Sequence, residues 1–169
     1  MSRFFKRKQD EAKEKKEANK ENQSTAGSTQ EDSGAAGNRG LFDSLDSNIE
    51  TVRSLFRDVD ILRIKYISSE NDKTLVYGIV YLDGMVDPMI MNESLIRALI
   101  KSPISLNDED PIYTLMTQVL QINEMKDTGD IDEITEAIAY GDTVLFINGI
   151  NRAVILNTRG FQARSISEP

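Results

Sequence analysis

The segment TLVYGIVYL, residues 74–82, is apolar on both of its alternating faces and rich in β-branched and aromatic side chains. A strand with one solvent-exposed face alternates apolar and polar residues, whereas a strand covered on both faces does not. The segment therefore predicts a central strand with further structure packed on each side of its sheet. Residues 60–68 do alternate, which predicts a half-exposed strand that pairs with the central one through a turn at 69–72.

Two Asp-Pro pairs, at 87–88 and 110–111, predict the starts of two helices. Proline suits the first helical position, and it disfavours helical geometry in the residue before it, where an aspartate can cap the helix. The first of these helices is predicted to run to about Lys101, and the second from Ile112 to about Leu120.

Two more helices are predicted from their caps. One starts at Asp43 or Ser44 and ends near Arg57. The other is short, is capped by Asp130 and ends at Gly141, where a left-handed residue is expected. The apolar stripe predicted to be buried by the first of them comprises Ile49, Val52, Leu55 and Phe56.

Residues 143–148 and 152–158 predict a β-hairpin, because Asn148-Gly149 between them tolerates the positive φ angles of a tight turn. A final short strand is predicted near 162–167. Together with the other elements, this gives an α/β (α+β) fold class, in which a mixed β-sheet packs with three to four helices.

Composition divides the chain at residue 40. Residues 1–40 hold almost no aliphatic side chains and are charged or rich in small polar residues, so we predict a disordered tail there, ahead of one α/β subdomain at 41–169. Residues 41–169 carry 21 acidic and 11 basic side chains. This excess of negative charge argues against a nucleic-acid surface, which needs clustered positive charge.

The chain contains no cysteine and no histidine, which excludes thiol nucleophiles, disulfides, structural zinc and histidine-based acid–base catalysis. Its densest carboxylate clusters, at 127–133 and 108–110, fall where helices are predicted to start, so their interaction with the helix dipole explains them better than a metal site does. We predict no metal, no cofactor and no enzymatic activity, since no pair of a base and a nucleophile is visible.

The sharpest candidate for a ligand site is LDGMVDP at 82–88. Asp83 follows the predicted central strand and Asp87 precedes a helix, and crevices at such strand ends bind ligands in open α/β sheets. The alternative is an Asp-Gly turn followed by a helix cap. Arg159 is a third candidate, because an arginine at the end of a strand can bind a carboxylate of the domain itself or of a ligand.

Residues 3–8 place four basic side chains around two phenylalanines, a pattern that can contact an anionic membrane surface, although acidic residues from Asp10 onward offset the charge. The longest apolar run, at 75–82, is far shorter than the roughly 18 residues of a membrane-spanning helix. The N-terminus carries charge but lacks the apolar core of a signal peptide, which argues against export by that route.

Three segments of the chain carry a family resemblance: SLFRDVDILRIKYI at 54–67, LVYGIVYLDGMVD with NESLI at 75–96, and EAIAYGDTVLFINGINRAVILNTRGFQARSISEP at 136–169. They resemble the soluble N-terminal region of the A subunit of GerA-type spore germinant receptors. The most specific part is the block GDTVLFING, followed by Thr-Arg-Gly and a Ser-Ile-x-Glu-Pro ending.

The resemblance implies a non-enzymatic part of a membrane receptor through which spores respond to nutrients such as amino acids or sugars. In that family the chain continues past Glu168-Pro169 into a second subdomain and transmembrane helices, and the A subunit assembles with a B subunit and a C-subunit lipoprotein in the inner spore membrane. This region is then expected on the cytoplasmic, spore-core side, where it acts in signal transduction and assembly. The alternative is a lobe that binds a small-molecule nutrient once the second subdomain completes its cleft.

Overall fold

The computed structural model describes residues 40–160. The sequence predictions of a disordered tail, of a basic membrane-contacting segment at 3–8 and of a strand near 162–167 concern residues outside this range, apart from Gly40, and they stay predictions. In the described part, five strands form one sheet: β1 (Leu62–Ser68), β2 (Val76–Leu82), β3 (Met125–Thr128), β4 (Thr143–Ile147) and β5 (Ala153–Leu156).

Four helices accompany the sheet in the described part. Helix α1 is Leu45–Leu55, and α4 is Ile131–Tyr140. The other two contain π-helical turns: α2 consists of Ile90–Ile96 in π geometry followed by Arg97–Ile100, and α3 consists of Pro111–Thr114 followed by the π segment Leu115–Val119.

The predicted helix caps are confirmed. Asp87 accepts a hydrogen bond from Met89 N at 2.8 Å, so its side chain caps the start of the helical segment that leads into α2. Asp110, Asp130 and Ser44 each accept a hydrogen bond from a backbone N–H in the first turn of α3, α4 and α1, respectively. Gly141 ends α4 with φ of 96°, in the left-handed conformation.

The strand order is β1-β2-β4-β5-β3, and every neighbouring pair is antiparallel. The α+β class is therefore confirmed, but the prediction of a mixed sheet is wrong. Strands β3 and β4 do run in the same direction and are joined by α4, as in a parallel crossover unit. The tight turn after β4, however, returns the chain as β5 between them, so that neither has a parallel neighbour.

The sheet is covered on both faces, as the central strand predicts. Tyr77 and Ile79 of β2 face a core formed with α2 and α3, whereas Val80 and Leu82 face a second core formed with α1 and α4. Gly78 lets α1 approach β2 closely, because a Cβ there would lie 2.7 Å from Leu45 Cδ1. Residues 40–160 thus form a three-layer arrangement of helices, sheet and helices.

One predicted core position is wrong. Leu55 is 47% exposed, while Ile49, Val52 and Phe56 are buried. These three residues lie at spacings of three and four and share a helix face, whereas Leu55 lies about 100° from Phe56 around the axis and points beside the core. No helix within residues 40–160 is both long and apolar enough to span a bilayer.

Candidate functional site

A cleft of about 410 Å³ opens where β2 ends, beside the start of α2. Its wall includes the loop at 83–87, which we call the cleft loop. Two of the three predicted site residues, Asp83 and Asp87, lie in it. Other side chains and backbone at the wall come from Lys65, Tyr81, Asn92 and Gly160. The cleft therefore combines an ammonium group, two carboxylates and an amide.

Asp83 is held at the rim of the cleft by groups of the domain itself. Its Oδ2 atom lies 3.1 Å from Arg63 Nη2, in an exposed ion pair between the end of β2 and the neighbouring strand β1. Its backbone N–H donates to Ile61 O at 2.8 Å. The next residue, Gly84, turns the chain with φ of 81°, a conformation that glycine adopts without strain.

Asp87 uses one carboxylate oxygen locally. Oδ1 accepts hydrogen bonds from Met89 N at 2.8 Å and from Ile90 N at 3.2 Å, and so satisfies two of the unpaired donors at the helix start. The turn and cap predicted as the alternative to a ligand site are both present. A ligand in this cleft would therefore meet carboxylates that already have local partners.

The side chain of Arg159 is not in this cleft. Its guanidinium lies 4.7 Å from the centroid of the Tyr140 ring, and Nε lies 3.0 Å from Asp142 Oδ1. The single Nε hydrogen is directed at Asn157 Oδ1, 3.2 Å away, so the contact with Asp142 is an ion pair without good hydrogen-bond geometry. Arg159 thus binds a carboxylate of the domain itself, one of the two interpretations that the sequence left open.

Burial dominates the electrostatics of this ion pair. The Asp142 side chain is only 15% exposed, and this desolvation raises the pKa of its carboxyl group. The positive charge of Arg159 opposes the rise, and the negative charge of Glu124 adds to it. Beside the pair, the buried hydroxyl groups of Thr143 and Thr158 share a hydrogen bond of 2.6 Å.

The backbone around Arg159 does reach the cleft. Arg159 forms an isolated antiparallel bridge with Val86 of the cleft loop. Two hydrogen bonds flank it, from Asp87 N to Thr158 O at 2.7 Å and from Gly160 N to Met85 O at 3.0 Å. Residues 157–160, which we call the exit segment because the described chain ends there, are therefore tied to the loop that carries both candidate aspartates.

The sequence analysis missed a second arginine centre. Arg152, at the start of β5, donates from Nε to Asp127 Oδ2 at 3.0 Å, and its Nη1 lies 3.3 Å from Asp110 Oδ2. Asp110 also caps α3. The hydrogen bond from the backbone N–H of Tyr113 and, to a smaller extent, the contact with Arg152 hold the pKa of Asp110 below its ordinary value. The partners lie 25 and 42 residues before Arg152, so no local pattern pointed to it.

The carboxylate clusters at 108–110 and 127–133 thus have structural partners. Besides the Arg152 centre, Lys126 and Glu133 form an ion pair that raises the pKa of the lysine and lowers that of the glutamate. Within residues 40–160, no group of three or more aspartate, glutamate, cysteine or histidine residues is arranged to hold a metal ion.

Comparison with known proteins gives a consistent result. A family model described as Bacillus/Clostridium GerA spore germination protein matches residues 50–169. Spore germination protein KA of Bacillus subtilis (strain 168) is 28% identical over 127 residues, which are 75% of this chain and 23% of that protein. Spore germination protein GerLA of Bacillus cereus is 30% identical over 92 residues, which are 54% of this chain and 18% of that protein. The chain therefore spans about a quarter or less of these relatives.

One solved structure has the same architecture. The crystal structure of the N-terminal domain of the A subunit of the Bacillus megaterium spore germinant receptor GerK3 matches with a TM-score of 0.64 and 20% identity. The match covers 74% of this chain and 50% of that one. At this identity the likeness shows the fold, and the three-layer arrangement described above is shared with half of that domain.

Proposed function

The chain belongs to the GerA family of Bacillus/Clostridium spore germination proteins, and from this premise we propose that it is a non-enzymatic packing and signal-transducing module of a germinant receptor A subunit. In this proposal it assembles with a B subunit and a C-subunit lipoprotein in the inner spore membrane and lies on the spore-core side. It contributes no catalytic step. Its role is to join a second subdomain and to transmit a nutrient-dependent change to its neighbours.

The observation that carries this proposal is the surface where the described chain ends. Met85, Tyr140 and Arg159, which we call the exit surface, lie together: Arg159 stacks on the Tyr140 ring, and the Met85 side chain packs on Gly141. Tyr140 is 67% exposed, so its large aromatic ring is accessible to a partner although one face stacks on Arg159. Aromatic and arginine side chains in such settings anchor protein–protein interfaces.

Its location supports the same assignment. The exit surface surrounds Gly160, from which the chain continues into residues 161–169. The match to the GerK3 domain covers half of that domain, so that relative has space for a further lobe beside the matched part. In this proposal a neighbouring lobe covers the exposed part of Tyr140.

The test is germination by spores whose full-length receptor carries Tyr140→Ser. We expect germination to slow severalfold and the amounts of the B and C subunits in the spore membrane to fall, because an interface anchor is lost. Tyr113→Ser is the matched control, since Tyr113 is 64% exposed on α3 and lies outside the exit surface. If the two variants germinate alike, the exit surface is not an assembly interface.

A second candidate function is a small-molecule lobe at the cleft. The observation in its favour is the combination of Lys65 with Asp83 and Asp87 around about 410 Å³, since an ammonium group and carboxylates together suit a zwitterionic amino acid or a polyol. The Arg159 side chain does not take part in this version of the site, because it faces Asp142.

Chemical-shift titration of the chain with amino acids, sugars and nucleosides tests this candidate, first alone and then with a second subdomain attached. Binding would move the amide resonances of Asp83, Asp87 and Asn92, and Lys65→Ala would weaken it. A titration that leaves these resonances unmoved in both forms eliminates the small-molecule lobe and leaves the packing module unaffected.

A further inference from the structure

We infer that the cleft loop (83–87) and the exit segment (157–160) are one mechanical unit, so that a change in the cleft moves the segment through which the chain continues. The inference deepens the proposed function, because it names the contact by which the cleft would control the neighbouring lobe. It rests on backbone contacts in the described residues rather than on the identity of a nutrient.

The backbones of the cleft loop and the exit segment contact each other at three consecutive positions. Asp87 N donates to Thr158 O at 2.7 Å, and Gly160 N donates to Met85 O at 3.0 Å, on either side of the bridge between Val86 and Arg159. Both hydrogen bonds join the cleft loop to the exit segment, and Asp87 and Gly160 themselves line the cleft. One segment cannot move relative to the other by more than a few tenths of an ångström without breaking these bonds.

The two backbones also pack closely at Gly160. A Cβ atom built on this residue would lie 3.1 Å from Asp87 N and 3.2 Å from its Cα, which is tighter than ordinary van der Waals contact. Glycine is required here by close approach of two backbones, since its φ lies outside the left-handed region. Gly160 of the exit segment therefore forms part of the cleft wall, and no side chain separates its backbone from that of Asp87.

The cleft loop is also anchored at Met85 and Asp87, the two residues whose backbones hydrogen-bond to the exit segment. Met85 packs its side chain against Gly141 at the end of α4, where an added Cβ would lie 2.7 Å from Met85 Cε. Asp87 is fixed by capping the start of α2. A ligand that enters the cleft meets Asp83 and Gly84, which precede both anchors, and displaces the loop against the exit segment.

Amide hydrogen exchange on the full 169-residue chain tests the coupling without a ligand. Gly84→Ala places an L side chain at φ of 81°, where the strain is relieved only when the loop opens. If the loop and the exit segment open together, the exchange of the Gly160 and Asp87 amides rises equally, by about five- to thirtyfold. Faster exchange at residues 85–87 with an unchanged rate at Gly160 overturns the inference.

The matched control is Gly149→Ala, which imposes the same kind of strain at φ of 90° in the turn between β4 and β5. It should leave both amides unchanged. A second variant, Gly160→Ala, strains the exit segment directly and should raise the exchange rates of the Asp87 and Gly160 amides. Gly40→Ala, whose added Cβ has no atom within 4 Å, should leave both rates unchanged. Equal effects of Gly160→Ala and Gly40→Ala would also overturn the coupling.

The biological arm separates this inference from the proposed function. Spores that carry Gly160→Ala in the full-length receptor should germinate severalfold more slowly at unchanged receptor level, while Gly40→Ala spores should germinate normally. If exchange is coupled but germination is unaffected, the mechanical unit stands and the proposed signal-transducing role fails. If exchange is uncoupled, the inference fails whatever germination shows.

Discussion

The domain has two ion-pair centres built on an arginine, one at Arg152 and one at Arg159, and they differ in how far their surroundings exclude water. Arg152 and its partners Asp127 and Asp110 are each about two-fifths exposed, and the arginine ties β5 to β3 and to the start of α3. Arg159 and Asp142 are 30% and 15% exposed, the guanidinium of Arg159 stacks on the Tyr140 ring, and the buried threonine pair lies beside them in sequence. Water screens the first centre, whereas the second must satisfy a largely desolvated carboxylate. We therefore expect the buried centre at Arg159 to contribute more to the free energy of unfolding than the Arg152 centre, although Arg152 forms more ion pairs.

Arg159→Ala should be the most damaging change at either centre. It leaves Asp142 buried without a cation, and we expect the free energy of unfolding to fall by about 2 kcal/mol, less than the 3–5 kcal/mol of a fully buried pair because Arg159 keeps some exposure. Urea unfolding at pH 7 measures it. Arg97→Ala, which removes the exposed pair with Glu93 on α2, is the control at about 0.3–0.5 kcal/mol. Equal losses in the two variants would refute the role given to burial.

Thr158→Val sharpens the contrast by removing one partner of the buried hydroxyl pair beside Arg159. The Thr143 hydroxyl is then buried without its partner, which should cost about 1–2 kcal/mol in urea unfolding. The double variant Thr143→Val/Thr158→Val removes both polar groups and should recover most of the loss. A double variant less stable than the single one would mean that packing, rather than the unpaired hydroxyl, sets the cost.

Much of the fold could be predicted from local patterns. The central strand was evident because residues 74–82 are apolar on both faces, and the Asp-Pro caps and Gly141 were evident because each fits a specific backbone geometry. These signals are local in sequence. The order of the strands is set by contacts between distant elements, and the polar segment MKDT that forms β3 at the sheet edge has no strand pattern of its own. The mixed sheet was therefore a wrong prediction.

The candidate site divides in the same way. Asp83 and Asp87 do share a cleft because five residues of one loop cannot separate far. Arg159 is a candidate from sequence because it also ends a strand, and the sequence leaves open whether it binds a ligand or the domain. Its side chain turns to Asp142, whose position across the β4–β5 hairpin depends on the register of the two strands. The same limit hid Arg152, whose partners come from β3 and from the cap of α3.

Arg152→Ala should have a smaller effect than either change at the exit. Its partners are screened by solvent, and surface networks of this kind contribute about 0.5–1 kcal/mol to the free energy of unfolding. Asp110 keeps its role as the cap of α3, and Asp127 gains access to water. Urea unfolding at pH 7 beside Arg159→Ala gives the comparison directly. A loss as large as that of Arg159→Ala would show that connecting three elements outweighs burial.

The two centres should also respond to pH with opposite sign, as the smallest of these effects. Burial raises the pKa of Asp142 above the ordinary value of 3.8, so the native state binds more protons than the unfolded chain just above that pH, and the contribution of Asp142 to stability falls as pH rises through this window. Hydrogen bonds from Tyr113 N–H and Arg152 lower the pKa of Asp110, so its contribution is complete above pH 3.8 and is lost as pH falls through its lowered pKa.

Asparagine variants isolate these contributions, because asparagine keeps the shape of the side chain and can still cap a helix. Relative to the unchanged chain, Asp142→Asn should become more stable as pH rises above 3.8. Asp110→Asn should be less stable than the unchanged chain near pH 7, and this difference should shrink as pH falls below 3.8. Thermal unfolding between pH 3 and pH 7 for the three chains measures both differences. Parallel curves for the two variants would mean that desolvation does not distinguish the centres, and the exit region would then be held together by the same screened charge pairing as the Arg152 centre.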